Sequence, residues 1–540
     1  MRKIALLLAV LLPGTVHAQP SRPAPKLIVA ISVDQLSSDL WDEYHSSFGG
    51  GLARLARGTA FRNGYQGHAA TETCPGHSTI PTGSRPSRTG IIANNWFDLS
   101  QARSDKAVYC SEDERVAGTS SLNYTVSPYH LKVPTLGELM KRRTPASRNV
   151  AVGGKDRSAV MMSGHVAEQR YYWNGKAFVT DLKSAAVPKS LPAVTAVVAA
   201  TIAAPQAALV PPPLCTAKSR VVPIEGGGKP VGAGTFARAA GDARAFRSSP
   251  AFDGATLALA AALFQELQLG RGAATDILSI GLAGTDYVGH SYGTEGSEMC
   301  LQLFSLDRDL RDFFALLDRS GVDYAVVLTA DHGGQDVPER LREQGFANAA
   351  RVDPALIASA VGKAVGARLA LSGPVLIGES SFGDMYLDHA LKPAERARAL
   401  DAAVATYRAH PQVEAVFTGE QLRRTPSPTA SPDKWTLIER ARASFDEQRS
   451  GDFVVLLKPR ITPIPDTRSY VATHGSPWDY DRRVPILFWR PAMAAAAREE
   501  AVETADIMPT LAAMIGLPIQ PGSIDGKCLA GIHGVTCPPR

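Results

Sequence analysis

Lys26-Leu-Ile-Val-Ala-Ile-Ser-Val33 is a short, largely β-branched apolar run that stops at Asp34 and is preceded by the Pro-rich stretch at 19–25. A run of this length between turn residues reads as a strand buried on both faces, as in a parallel sheet covered by helices. Similar runs recur at 149–152, 276–282, 324–328, 453–457 and 484–489. Helical periodicity lies between them at 257–269, 301–317, 394–407 and 507–515. Alternation over such lengths predicts an α/β fold, a mainly parallel sheet sandwiched by helices. Two stretches break the rhythm. Residues 184–251 are rich in Pro, Gly and Ala, and residues 335–432 carry helices of their own before the core resumes. Both are expected to be insertions in a single domain spanning 19–540, roofing the carboxyl edge of the sheet.

The first residues, Arg2-Lys3, the apolar stretch Ile4 to Leu12 and Val16-His17-Ala18, have the order of a secretory signal, with cleavage expected after Ala18. No later stretch reaches about 18 uninterrupted apolar residues, so no membrane anchor is expected and the mature chain is read as periplasmic or secreted. Removing Arg2 and Lys3 lowers the formal charge from +5 to about +3, too little over this length for bulk attraction to nucleic acid or membranes. Six cysteines in an oxidising compartment favour disulfides, and none has the CxxC spacing of a metal or redox motif. Cys528 with Cys537 is the nearest pair in sequence; Cys74 with Cys110 and Cys215 with Cys300 follow by neighbourhood.

Chemistry-bearing residues stand at strand ends or in Gly-rich turns. Asp34 follows the first run, and Asp286 and His290 occupy Gly284-Thr-Asp-Tyr-Val-Gly-His290. Asp331 and His332 follow the run at 324–328, and His474 lies in Thr473-His-Gly475. Carboxylates and imidazoles delivered from strand ends into one crevice are what a metal-assisted reaction requires. Thr71-Glu-Thr-Cys-Pro-Gly-His77 supplies a candidate nucleophile in Thr73, in a turn expected to lead into a helix near Gly76. A threonine hydroxyl is a weak nucleophile until a metal lowers its pKa, so the ligands and Thr73 explain each other. Lys155 and Arg157, two apart after the run at 149–152, would leave on the same side if the chain stays extended. His68 and His77 are read as supporting residues. Glu112-Asp-Glu114 has the composition to hold a further Ca2+ or Mg2+, although solvated loop charge accounts for it as well. A C/S-x-P-x-R sulfatase pattern is absent at Cys74-Pro-Gly-His77.

Asp34, Thr73-Cys-Pro-Gly-His77, Asn94-Asn-Trp96, Lys155-Asp-Arg157, Asp286-x-x-x-His290, Asp331-His332 and His474, in that order, resemble the alkaline phosphatase superfamily. The resemblance is to its exported, zinc-dependent branch with a threonine nucleophile, the PhoK-type enzymes of sphingomonads, and covers about 26–491. It implies two Zn2+ per chain, one held by Asp286, His290 and His474, the other by Asp34, Asp331, His332 and the Thr73 oxygen. It also implies that Asn94, Lys155 and Arg157 hold the phosphate oxygens and that a phosphothreonine forms and is hydrolysed. The expected protein is a monomeric enzyme acting on small-molecule phosphate monoesters and releasing inorganic phosphate. A nucleotide pyrophosphatase/phosphodiesterase shares the threonine and asparagine, but Lys155-x-Arg157 suits the extra charge of a monoester. A phosphoglycerate mutase would be cytoplasmic with a serine nucleophile. An exported zinc-binding module without catalysis would have no reason to retain Thr73.

Overall fold

The computed structural model describes residues 23–539; the export segment expected at 1–18 lies outside the described residues. The main sheet contains β1 (Leu27–Val33), β2 (Thr59–Tyr65), β3 (Asn149–Gly153), β4 (Gln169–Trp173), β5 (Phe178–Val179), β6 (Asp276–Leu282), β7 (Tyr324–Thr329), β8 (Arg483–Trp489), β9 (Ala496–Arg498) and β10 (Val502–Glu503). Their spatial order is β9-β2-β8-β7-β1-β6-β3-β4-β5, with β10 also pairing β2. The run β7-β1-β6-β3-β4 is parallel, with Leu27 opposite both Tyr324 and Asp276. β8 is antiparallel to both of its neighbours. The fold is therefore a mainly parallel sheet between helices.

β1 is buried at every position. Leu27, Val29, Ile31 and Val33 enter one apolar cluster, with Leu263 and Leu310 of the helices Pro250–Glu266 and Ser297–Ser320. Ile28 and Ala30 enter the opposite one, with Ile80, Met140 and Leu511 of the helices Thr73–Thr82, Leu136–Arg143 and Ile507–Met514. This period-2 division is why the strand carries apolar residues without interruption. Each fully buried Leu or Ile contributes about 1.5–3 kcal/mol, so the central strand holds both helical layers.

Five of these strands, β2, β4, β5, β9 and β10, are not expected from sequence. The run at 453–457 is expected among the core strands, and the structure corrects it. Phe453–Leu457 pairs antiparallel with Gly383–Leu387 and Val413–Thr418 in a separate four-stranded sheet. That sheet and the helices Ala358–Leu369 and Pro393–Arg408 share a core including Val361, Met385, Tyr407 and Phe453. A five-residue apolar run has the same appearance in either sheet, so periodicity could not assign it. In the 184–251 stretch, Val198 of the helix Ser190–Ala203 and Phe246 pack into the first apolar cluster.

Disulfides join Cys74 to Cys110, Cys215 to Cys300 and Cys528 to Cys537, the pairs expected from neighbourhood. No helix among the described residues is long and apolar enough to cross a membrane.

Candidate active site

The parallel strands deliver their functional residues at one edge. Asp34 directly follows β1, Lys155 comes two residues after β3, Asp286 four after β6 and Asp331 two after β7. Such a carboxyl edge is where open α/β sheets bind ligands. Gln35, next after Asp34, has φ 68°, an uncommon conformation for a side chain of its size. Its amide donates to Asp331 Oδ1 at 3.2 Å, and the His332 amide donates to the same atom at 2.9 Å. Asp331 Oδ2 is thereby turned towards the histidines.

Thr73 is the first residue of the helix Thr73–Thr82, which starts three residues earlier than the sequence predicts. Gly76 packs against the Asp331 backbone so closely that a Cβ would collide with it. That contact fixes the helix start beside the end of β7. His77, one turn on, reaches Asp331 Oδ2 at 3.2 Å through Nδ1 and Asp34 Oδ1 at 3.3 Å through Nε2. Burial alone would lower its pKa, but Asp34 and Asp331 raise it to about 10. The sequence marks His77 only as a supporting residue; its i+4 offset from Thr73 was the available signal.

Asp286 and His290 share one face of the helix Gly284–Tyr292, and Asp286 Oδ1 lies 3.3 Å from His290 Nε2 and 3.4 Å from His474 Nε2. His332 stacks on His474 with ring centroids 3.6 Å apart, and its Nε2 lies 3.2 Å from Asp331 Oδ2. Asp286, His332 and His474 form one group of convergent donors, and Asp34, His77 and Asp331 form the other. Burial, with the neighbouring His332, lowers the His474 pKa to about 3 and keeps its ring neutral. Burial opposes ionisation of Asp286, yet His290 and Lys155 hold its pKa well below the usual range.

The histidines share one orientation. Nδ1 lies against a backbone carbonyl in each case: Thr73 for His77, Ala472 for His290, Gly333 for His332 and Thr71 for His474, at 2.8–2.9 Å. A carbonyl only accepts, so Nδ1 carries a proton in each, and Nε2 faces a carboxylate; in His77, Nδ1 also lies beside Asp331 Oδ2. Nε2 of His77 and of His332, both Asp34 oxygens, Asp286 Oδ1 and Asp331 Oδ2 are buried without a hydrogen-bond partner. Buried polar atoms left in this way, with the second ring nitrogen fixed by a carbonyl, are the arrangement of metal-ligating histidines. The donor set, imidazole nitrogen and carboxylate oxygen, fits Zn2+.

Lys155 is buried, with Nζ 2.5 Å from Asp286 Oδ2, 3.0 Å from Asp34 Oδ2 and 3.3 Å from Thr73 Oγ1. Burial would lower its pKa, but Asp286 and Asp34 hold it above the usual lysine value. The chain does not stay extended here. Lys155 caps the helix Asp156–Ser163, so Arg157 sits in the first turn rather than alongside Lys155. Its Nη1 donates to Tyr109 Oη at 3.3 Å, while Tyr109 and Tyr124 donate to the two Asp156 oxygens at 2.6 and 2.7 Å. Asn94 Oδ1 accepts from the Cys74 amide at 2.9 Å, which leaves its amide nitrogen to donate elsewhere. His68 is fully buried with no hydrogen bond at either ring nitrogen.

Residues 28–477 match the Type I phosphodiesterase / nucleotide pyrophosphatase family. Alkaline phosphatase PhoK of a Sphingomonas sp. is 52% identical over 514 residues, 94% of this chain and 92% of that protein. The chain belongs to that family and, like PhoK, to the alkaline phosphatase superfamily. Alkaline phosphatase PhoD of Zymomonas mobilis is 47% identical over 95% of this chain and 90% of its own length. Among solved structures, wild-type alkaline phosphatase PafA superposes with TM-score 0.82 at 25% identity, covering 95% of this chain and 99% of that one.

In this member of the superfamily a cavity of about 390 Å3 opens beside Asn94, Arg157, His290 and His474. The cap supplies part of its wall through Phe382 and Tyr386, and no residue of 184–251 lines it. Residues of the 335–432 stretch therefore border the site, whereas those of 184–251 do not line this cavity.

Proposed function

We propose that the protein hydrolyses phosphate monoesters through a phosphothreonine on Thr73, at a centre holding two Zn2+, with a nucleotide pyrophosphatase/phosphodiesterase as the second reading. One observation carries this: the Thr73 hydroxyl faces the Lys155 ammonium beside convergent buried carboxylate and imidazole groups, several of whose ligand atoms make no hydrogen bond within the protein. The 52% identity to PhoK over nearly the whole of both chains supports a phosphoric monoester hydrolase.

Asp286, His290 and His474 would hold one ion, and Asp34, Asp331, His332 and Thr73 the other; His77 lies close enough to Asp34 and Asp331 to orient or replace a ligand there. Bound zinc would supply Lewis-acid stabilisation of charge on the attacking, leaving and non-bridging oxygens. Thr73 Oγ1 forms the new P–O bond as the ester P–O bond breaks, its proton passing to solvent and the departing alkoxide taking a proton from water to leave as the alcohol. Water then cleaves the phosphothreonine, releasing inorganic phosphate and restoring the Thr73 hydroxyl. Lys155, held by Asp34 and Asp286, places a positive charge at the hydroxyl as it loses its proton. Asn94, oriented by the Cys74 amide, and Arg157, oriented by Tyr109, hold the remaining phosphate oxygens. A buried ammonium next to the nucleophile favours a dianionic monoester over a monoanionic diester.

Three disulfides and the expected signal support an enzyme that works in the periplasm or outside the cell. Its substrates would be small phosphate monoesters, its product inorganic phosphate, and its working form a monomer. Zinc analysis, combined with turnover of an aryl phosphate by the native protein and by Thr73→Ala, tests the reading. Two zinc ions with no turnover in the variant are expected; full turnover by Thr73→Ala would reject the nucleophile.

A further inference from the structure

The cavity continues beyond the phosphate end into a chamber whose walls differ in chemistry from the site itself. Phe97, Phe382, Tyr386 and Phe445 line it, drawn from separate segments of the core and cap. Phe97 meets Tyr386 edge to face at 5.6 Å, and Phe382 packs against Gly475, beside His474. The aromatic wall is thus continuous with the residues proposed to hold phosphate. The whole cavity, phosphate end included, is about 390 Å3, more than an inorganic phosphate needs and within the range of small-molecule sites.

Charge is divided along this chamber. The cationic and imidazole residues lining it, Arg157, His290 and His474, belong to the phosphate end. Three carboxyl groups line it as well: Glu72, which accepts from the Asn94 backbone amide at 2.6 Å at the phosphate end, and Glu379 and Asp384 farther along. Glu379 Oε1 accepts from Asn95 Nδ2 at 2.8 Å, which anchors a carboxyl group next to Asn94, although burial raises its pKa. Asp384 is tied into the cap by the Gly451 amide at 2.7 Å.

We propose that this chamber is a leaving-group subsite that selects phosphate monoesters of neutral or cationic aromatic alcohols and disfavours those whose alcohol carries a carboxylate. The inference rests on the monoesterase reading and adds the substrate class. An aromatic ring gains contact with the four aromatic side chains, and a cationic substituent gains attraction to ring faces and carboxylates. An anionic substituent meets like charge in a partly desolvated space, the repulsive element that specificity requires.

The test uses phenyl phosphates bearing a para trimethylammoniomethyl, methyl or carboxylatomethyl group, assayed with the zinc-loaded native enzyme and with Glu379→Gln. The native enzyme is expected to show kcat/KM several-fold higher for the cationic than for the anionic ester, with the neutral one between. Glu379→Gln is expected to narrow the cationic-to-anionic ratio several-fold, mostly through KM. Competitive inhibition by inorganic phosphate, which has no leaving group, reports the phosphate end separately and should stay the same. A ratio unchanged by Glu379→Gln, or an anionic ester turned over as well as the cationic one, would overturn the subsite. Absence of turnover for all three esters would overturn the monoesterase reading and the subsite with it.

Discussion

The Lys155 ammonium lies 3.3 Å from the Thr73 hydroxyl while an ion pair with Asp286 at 2.5 Å fixes it from behind. A lysine held by two carboxylates, Asp34 and Asp286, is costly to bury unless each charge is compensated. Here the compensation joins the strand ends after β1, β3 and β6 to the nucleophile helix in one electrostatic unit.

Replacing Lys155 with Met should therefore lower kcat/KM for a monoester by about 100- to 1,000-fold, the usual cost of removing one charge-stabilising donor from a water-poor site. A diester, with one charge fewer, should lose much less, and the ratio of the two kcat/KM values should move towards the diester. Steady-state kinetics on matched aryl esters decides this. Equal losses would show that Lys155 serves the Asp34–Asp286 pair rather than the substrate, and would favour the phosphodiesterase reading.

Thr73→Ala should abolish the covalent intermediate with little loss of stability, because the side chain's partner is the Lys155 ammonium rather than an apolar core. Acid quenching of the native enzyme with substrate, followed by peptide mass analysis, should find phosphate on Thr73. Thr73→Ser retains the hydroxyl and should retain labelling at position 73. Label elsewhere in the native enzyme would reject the assignment.

How much of this could be read in the sequence depended on whether a signal was local. β1 with Asp34, and the Asp286 to His290 spacing, carry their meaning within a few residues, and the structure brings both pairs to the carboxyl edge as expected. β2 and β4 were hidden because Arg62, Asn63 and Gly64, and Gln169 and Arg170, interrupt apolar patterning at positions whose burial depends on distant partners. Arg170, for example, is buried against Asp181 and the Gly164 carbonyl. The role of His77 required knowing that the helix Thr73–Thr82 passes between the ends of β1 and β7. The cavity's cap wall comes from residues about 300 positions away in sequence from Asn94, a closeness no spacing rule encodes.

Tyr109→Phe tests whether Arg157 needs its support. The phenol donates to Asp156 and accepts from Arg157, and burial, together with Asp156, holds its pKa well above the usual value, so it remains a donor at alkaline pH. Removing the hydroxyl should raise KM for a monoester and weaken phosphate inhibition several-fold, with a smaller effect on kcat. A variant with lowered thermal stability but unchanged KM and phosphate inhibition would mark Tyr109 as structural only.

Chelation should both inactivate and destabilise the protein. Without ions, Asp34, Asp286 and Asp331 stay buried, with Lys155 and His77 as their charged partners. Thermal unfolding with and without chelator, alongside metal analysis, should show a lowered Tm that zinc restores with activity. Magnesium or calcium restoring both in place of zinc would overturn the zinc assignment.

Asp253 supplies a pH signature of stability. Its carboxylate accepts from the Gly284 amide at 2.7 Å and from Gln302 Nε2 at 2.8 Å behind the Asp286 helix, yet burial raises its pKa from 3.8 to about 7. A carboxyl whose folded pKa exceeds its unfolded value binds more protons when folded, so its contribution favours folding below about pH 4. That contribution declines as pH rises to about 7, and above that the ionised, buried group is a net cost. Every tenfold difference in proton affinity between the folded and unfolded chains is worth about 1.4 kcal/mol. Asp253→Asn removes the titration while Gln302 can rotate its amide to accept from the new NH2 group. Relative to the native protein, the variant should therefore gain stability between pH 5 and pH 8, read by denaturant unfolding of the metal-loaded forms. A difference between the two proteins that stays constant across that interval would show that Asp253 is already ionised throughout it, held by Gly284 and Gln302 rather than governed by burial.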